Sequence, residues 1–249
     1  MRYTDENGEF LGTILGAISG FVKGVYNVVT GKGIEHIFTD TWKGLANGAK
    51  IDYGLFKGDF KQIVSRFTWE LPQTIVGNLY SHYRNIAWNV DKVRYFDGAT
   101  FVINANSQKN DGISIRSYLN LNIKKPYDRS IYEPDGKFTP INDPLFMHEY
   151  GHYIQSQKYG WGYLVSVGIP SISSAQKSKT LGYYVYEIMD EETGKIITKY
   201  VRISTHDQSW MEIGANKEAA KYFKKIRSYL GRAISNRKII LRIPYSIFK

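Results

Sequence analysis

Apolar positions recur with a helical period over the first ninety residues and change to a two-residue alternation from Asp91 onward. Between about Gly8 and Val90 the helical pattern is broken by glycines near 31–33, 47–48 and 54–58, and Pro72 marks a helix boundary. Gly12, Gly16, Gly20 and Gly24 recur every four residues, while Ile14, Ile18, Phe21 and Val25 fall on another face. A glycine row lets a second helix approach to backbone contact, so this stretch predicts a tightly packed helix; membrane insertion is the competing use of the same pattern. The apolar run Phe10–Val22 would rise only about 20 Å as a helix, short of a hydrocarbon core of about 30 Å. The acidic opening MRYTDENGE does not resemble a secretory leader. Neither a signal peptide nor a transmembrane span is therefore expected.

Beyond Asp91, VRYFDGATFVINA alternates about Asp97-Gly98, which predicts a hairpin, and GISIRSYLNLNI, from Gly112 to Ile123, reads as a second β run. A polar, proline-bearing loop follows. Asp143 before Pro144 supplies an N-cap with proline in the first turn, so a helix is expected from there to about Tyr159, with Gly160 as its stop. Gly168-Ile169-Pro170-Ser171 reads as a turn, YYVYEIMDEETGKIITKYVRIS as a hairpin turning near Glu192-Thr193-Gly194, and a further helix should begin near Asp207 or its alternative cap Ser209, anchored by Trp210. The sum is an α+β chain: a helical, glycine-rich portion over 1–90 and a mixed portion over 91–249, with a small β-sheet beside the Asp143-capped helix.

That helix carries His-Glu-Tyr-Gly-His at 148–152. His148 and His152, at i and i+4, share one helix face, where both imidazoles can reach one ion at roughly 2.0–2.1 Å. Glu149 stands beside that face, placed to take a proton from metal-activated water instead of binding the metal. Gly151 offers a second backbone room to approach. Two histidines leave a catalytic site one protein ligand short, and HYIQSQKYG supplies no third histidine after the motif. Glu212, in HDQSWMEIGANKEAAKYF, is the leading candidate, with Asn216 one turn on to accept the far N–H of a histidine ligand. His206 and Glu218 are the alternative ligands. For an oxyanion donor, His206 is the first choice, with Tyr183 and Tyr184 as alternatives. Trp161 and Tyr163 follow the motif and read as core or as groove lining.

Composition narrows the chemistry further. The 249 residues are 43% hydrophobic and 15% aromatic, enough for a sizeable core, and contain no cysteine, so a metal must be held by His, Asp or Glu. Ten of the 33 basic residues and one of the 23 acidic ones lie in 217–249, which leaves that segment at +9 and the rest of the +10 chain at +1. The segment KEAAKYFKKIRSYLGRAI also reads as an amphipathic helix with Ala219, Tyr222, Phe223, Ile226 and Leu230 on its apolar side. A solvated basic face is the plain account; nucleic-acid or membrane contact is the alternative.

His-Glu-x-x-His followed at a distance by Glu212 resembles the gluzincin metallopeptidases. FMHEYGHYIQSQKYGWGYL…VGIPS with HDQSWMEIGAN, together with SRFTWELPQTIVGNLYSH and YFDGATFVI upstream, is similar to compact zincin domains at the C-termini of Rhs-type and other polymorphic toxin proteins of Bacteroidetes. The resemblance implies a zincin-like fold, Zn²⁺ held by His148, His152 and Glu212, and hydrolysis of peptide bonds with Glu149 as general base. It implies a toxin effector exported within a larger system, with protein or peptide substrates and an immunity or inhibitor protein as partner. Gluzincins often carry a carboxylate where this chain has Asn216, and their sheet edge pairs with extended substrate; Gly112–Ile123 is the matching run. The rival readings are an inactive zincin and a basic binding module with a structural zinc.

Overall fold

The computed structural model describes residues 6–124, 138, 143–189 and 196–230, with side chains of 6–11, 184–202 and 225–230 outside that description. The chain is mixed α and β, as its two periodicities predict. Helices α1 (Glu6–Val29) and α2 (Glu35–Tyr53) form an antiparallel pair joined at Gly31, whose φ is +87°. The glycine row is their seam. A Cβ at Gly16 would stand 2.4 Å from Gly44 O, at Gly20 2.2 Å from Asp40 O, and at Gly24 2.5 Å from His36 O. The break expected at 47–48 does not occur: α2 runs through Gly48, which lies against the α1 backbone, 2.9 Å from Thr13 Cα for an added Cβ. Close approach, not chain reversal, is the use of that glycine.

Helix α1 is longer than the Phe10–Val22 run, and its window Gly12–Val29 is by length and composition apolar enough to cross a membrane, at a mean hydropathy of 1.2; one third of it is buried. Two further helices complete the layer: α3 (Phe60–Phe67), started by a reciprocal Asp59–Gln62 capping box, and α4 (Leu71–Ile86), with Pro72 in its first turn. Helix α4 lies on the sheet, close enough that a Cβ on Gly77 would be 2.4 Å from Ile115 O.

The sheet holds β1 (Lys92–Phe96), β2 (Ala99–Ser107), β3 (Asp111–Ile115) and β4 (Tyr118–Lys124) in the order β1-β2-β4-β3, with β2 and β4 parallel and the other pairs antiparallel. Asp97 and Gly98, at φ +39° and +81°, make the predicted two-residue turn. The run Gly112–Ile123, expected as a single edge, instead spans a second tight hairpin: only β3 is at the edge, and β4 lies inside the sheet. Its turn, Arg116-Ser117, contains no glycine, and Arg116 adopts φ +59°. The fully buried guanidinium is held there by Glu70 at 2.6 Å and by a bond from Nη2 to Gln62 O at 3.2 Å.

Across the sheet from α4 lies the main core, where Phe101, Ile103, Leu119 and Leu121 meet Phe146, Tyr150 and Tyr153 of α5 (Pro144–Tyr159) and Phe223 of α7 (Trp210–Leu230). Between those helices the chain makes a 3₁₀ turn at Gly160–Gly162, a π-helical turn at Leu164–Gly168, and the short helix α6 (Ile169–Gln176). The expected turn at Gly168–Ser171 is thus the start of a helix with Pro170 in its first turn. Strands β5 (Thr180–Met189) and β6 (Ile196–Ser204) pair as a separate antiparallel hairpin; its turn near Glu192–Gly194 lies outside the described residues. Trp210 does not anchor α7, being 55% exposed; Met211, packed with Tyr163 and Val167, does. Ala219 and Phe223 are buried as the amphipathic pattern predicts, whereas most of the basic segment beyond Lys224 lies outside the description.

Candidate metal centre

Helix α5 starts where its sequence directs. Asp143 Oδ1 accepts from Phe146 N at 3.0 Å, and Gly160, at φ +54°, ends it. With Phe146, Tyr150 and Tyr153 turned into the core, His148 and His152 face α7, their rings 4.9 Å apart and nearly perpendicular. Gly151 sits between them in sequence and is where the two helices touch: a Cβ there would be 2.0 Å from Ala215 O. That backbone contact brings Glu212, in the first turn of α7, onto the histidine pair.

Glu212 Oε2 lies 3.0 Å from His148 Nε2 and 3.1 Å from His152 Nε2. The three donor atoms fall within 4.8 Å of one another, so the trio can hold a metal ion. Ligands about 2.0–2.1 Å from a common ion at tetrahedral angles are about 3.3 Å apart, close to these separations. The far side of each ring is also fixed. His148 Nδ1 lies 2.9 Å from Asn216 Oδ1, and His152 Nδ1 lies 2.8 Å from Gln155 Oε1. Gln155 gives its own N–H to Met211 O at 2.9 Å, which turns its oxygen toward the imidazole. An amide oxygen only accepts, so both Nδ1 atoms carry the proton, and in the neutral rings both Nε2 lone pairs point at the carboxylate. Three acceptors converging at this depth require a cation or an extra proton between them.

The side chains by themselves favour the extra proton. Burial pulls the His148 imidazole down, but the hydrogen bond to Glu212, the charge of Glu149 and the bond to Asn216 together push it up to about 9. Burial disfavours the Glu212 carboxylate, yet the bonds to His148 and His152 and that from Ser171 hold it far below the usual range. A divalent cation would replace the proton in the same position.

Glu149 is buried, and β3 surrounds its carboxylate. Ser114 Oγ is 2.7 Å from Glu149 Oε2 and 2.8 Å from its backbone O, while a Cβ at Gly112 would stand 2.6 Å from Oε1. His206 is beside the trio without joining it: Nε2 is 3.6 Å from Glu212 Oε1, the oxygen turned away from the imidazoles. Glu218 is elsewhere, paired with Lys158 at the surface. Tyr183 is 63% exposed, and the side chain of Tyr184 lies outside the description. Tyr163 is core, its hydroxyl directed to Ser114 O at 3.4 Å, and burial with the charges of Glu149 and Glu212 pushes its phenol far up. Trp161 is exposed and donates to Thr68 O at 3.1 Å.

Three contributors escape the sequence reading. Gln155 stands three residues after His152 on the same helix face, a spacing that would have exposed it. Ser171 Oγ donates to Glu212 Oε1 at 2.6 Å, and Ser114 holds Glu149; serines are common and these two have no local pattern. Comparison with protein-family models, curated proteins and solved structures finds no match to any of them.

Proposed function

We propose that this chain is a zinc-dependent peptide hydrolase of gluzincin type. The observation that carries the reading is the convergence of two Nε2 atoms and Glu212 Oε2, with both Nδ1 atoms tied to amide oxygens. Two nitrogens and one oxygen form a donor set suited to zinc, with a fourth position for solvent. When bound there, zinc acts as a Lewis acid that makes a water nucleophilic at neutral pH and polarises a carbonyl. The protein supplies the rest. Glu149, beside His148 on α5 and fixed by Ser114, accepts the water proton at its carboxylate and delivers it to the departing amine. His206, adjacent to Glu212, is the donor assigned to the developing oxyanion. Strand β3, at the sheet edge and in contact with Glu149, offers its backbone to an extended peptide, which gains main-chain hydrogen bonds by lying alongside it. The zincin-like fold, the role of toxin effector exported within a larger system, and an immunity or inhibitor protein as partner belong to the same reading; their support is the resemblance of the motif regions.

The Glu149→Gln substitution tests it. The variant should retain zinc and lose proteolysis by about 10²- to 10⁴-fold; a variant that cleaves as the parent does sinks the assignment of Glu149. A second reading rests on the closeness of Glu212 to both histidines at 3.0 and 3.1 Å, which gives the trio a structural use with no chemistry attached. On that reading the domain is an inactive zincin, or a basic nucleic-acid or membrane module, with a structural zinc, and a pure sample takes up zinc yet shows no hydrolysis of a mixed protein substrate.

A further inference from the structure

We infer that Ser171 is a positioning residue for the third ligand, holding Glu212 so that one carboxylate oxygen alone faces the ion. This rests on the metal-centre reading and goes beyond it to the ligand's mode of binding. A glutamate has two equivalent oxygens, and its terminal torsion is broad and roughly two-fold. Left to itself, Glu212 could present either oxygen or both. Here the choice is made by α6. The π-helical turn and Pro170 set that helix against α7, and the Ser171 hydroxyl donates to Glu212 Oε1 at 2.6 Å. Oε2 is left 3.0 and 3.1 Å from the two imidazole nitrogens. Glu212 is 3% exposed, which limits competition from water for Oε1; among the described residues His206 Nε2 also lies near that oxygen, at 3.6 Å.

Single-oxygen ligation has a chemical consequence. With Oε1 engaged, His148, His152 and Glu212 would supply three ligand atoms to a bound ion and leave room for solvent; if Oε1 swung in, it would compete for that room. Ser171 therefore acts on the ion through Glu212 and touches no substrate.

The experiment uses the full chain and the metal alone. Ser171→Ala, and the near-isosteric pair Ser171→Thr and Ser171→Val, are titrated with zinc against a competing chelator, and each is loaded with Co²⁺ for visible absorption. Loss of the hydroxyl, in Ala and in Val, should weaken zinc about 10- to 100-fold and lower the Co²⁺ band intensity as coordination number rises. Thr, which keeps the hydroxyl, should restore both. The Thr and Val variants differ by a hydroxyl in place of a methyl, so a packing defect would affect them alike. If the parent chain binds zinc and the Ala and Val variants match it in affinity and spectrum, the role of Ser171 is overturned while the metal centre stands. If the parent chain takes up no zinc, both fall.

Discussion

The helical layer α1–α4 and the site-bearing helices α5 and α7 both bring backbones into contact through glycine, to opposite ends. In the layer the contacts repeat along Gly16, Gly20 and Gly24, and large apolar side chains face outward, including Ile18, Phe21, Val29, Phe38 and Trp42. In the site one glycine, Gly151, makes the approach, and polar groups face inward: Glu149, His152, Gln155 and Glu212 are all buried. Repeated small residues fix a packing distance with little help from side-chain chemistry. A single small residue between two histidines fixes where three donor atoms meet. The surrounding hydrogen bonds then make that burial tolerable, since an unpaired polar group there would be costly.

The seam between the two regions should be the most sensitive place. Arg116→Met leaves the Glu70 carboxylate buried without its partner, and denaturant unfolding should show a loss of about 3–5 kcal/mol. Next, Gly151→Val forces a side chain against Ala215 O and should cost about 1–3 kcal/mol while abolishing zinc uptake; Gly20→Val should cost a similar amount and leave the zinc stoichiometry of the folded protein unchanged. If both valines spare zinc, the contrast between the two glycine contacts is wrong. Saturation with zinc at 100 times Kd should stabilise the chain by about 2.7 kcal/mol, reversed by chelator, and a thermal melt that ignores zinc would favour salt bridges alone.

The sign of the pH effect follows from His148. Its pKa, raised in the metal-free fold to about 9, makes its pairing with Glu212 stabilising below about pH 6.5, a contribution lost as pH rises through about 9. If zinc binds the trio it has to displace that proton, so its affinity should climb as pH rises toward about 9, and isothermal titration in buffers of different ionisation enthalpy should show a proton released on binding. The smallest effect is expected outside. Ile18→Ser on the exposed face of α1 should change stability by no more than about 0.5 kcal/mol.

Much of this was legible where the signal is local. The Asp143 cap, the Asp97-Gly98 turn, the glycine seam of α1 and the meeting of Glu212 with the histidine pair all follow from residues a few positions apart or from a spacing with chemical meaning. What was missed is held by distant partners. Arg116-Ser117 turns without glycine because Glu70, far back in the chain, fixes the guanidinium. Gly48 looked like a break because the packing of α2 on α1 cannot be read from α2 alone. Ser114 and Ser171 became visible only when strand and helix were in place.

The Glu70–Arg116 pair ties the first ninety residues to the setting of Glu149, which their own side chains are not needed to contact. Arg116 closes the turn at the end of β3, and β3 cradles Glu149. A chain begun after Val90 would lose both Glu70 and Gln62, the partners that hold Arg116 at φ +59°. Uncovered by the same cut, the guanidinium would be free to turn to water, and nothing would fix the tight turn from which β3 reaches Glu149. Trimming the helical layer would thus be felt as lost alignment around one carboxylate before the contact between α5 and α7 was disturbed.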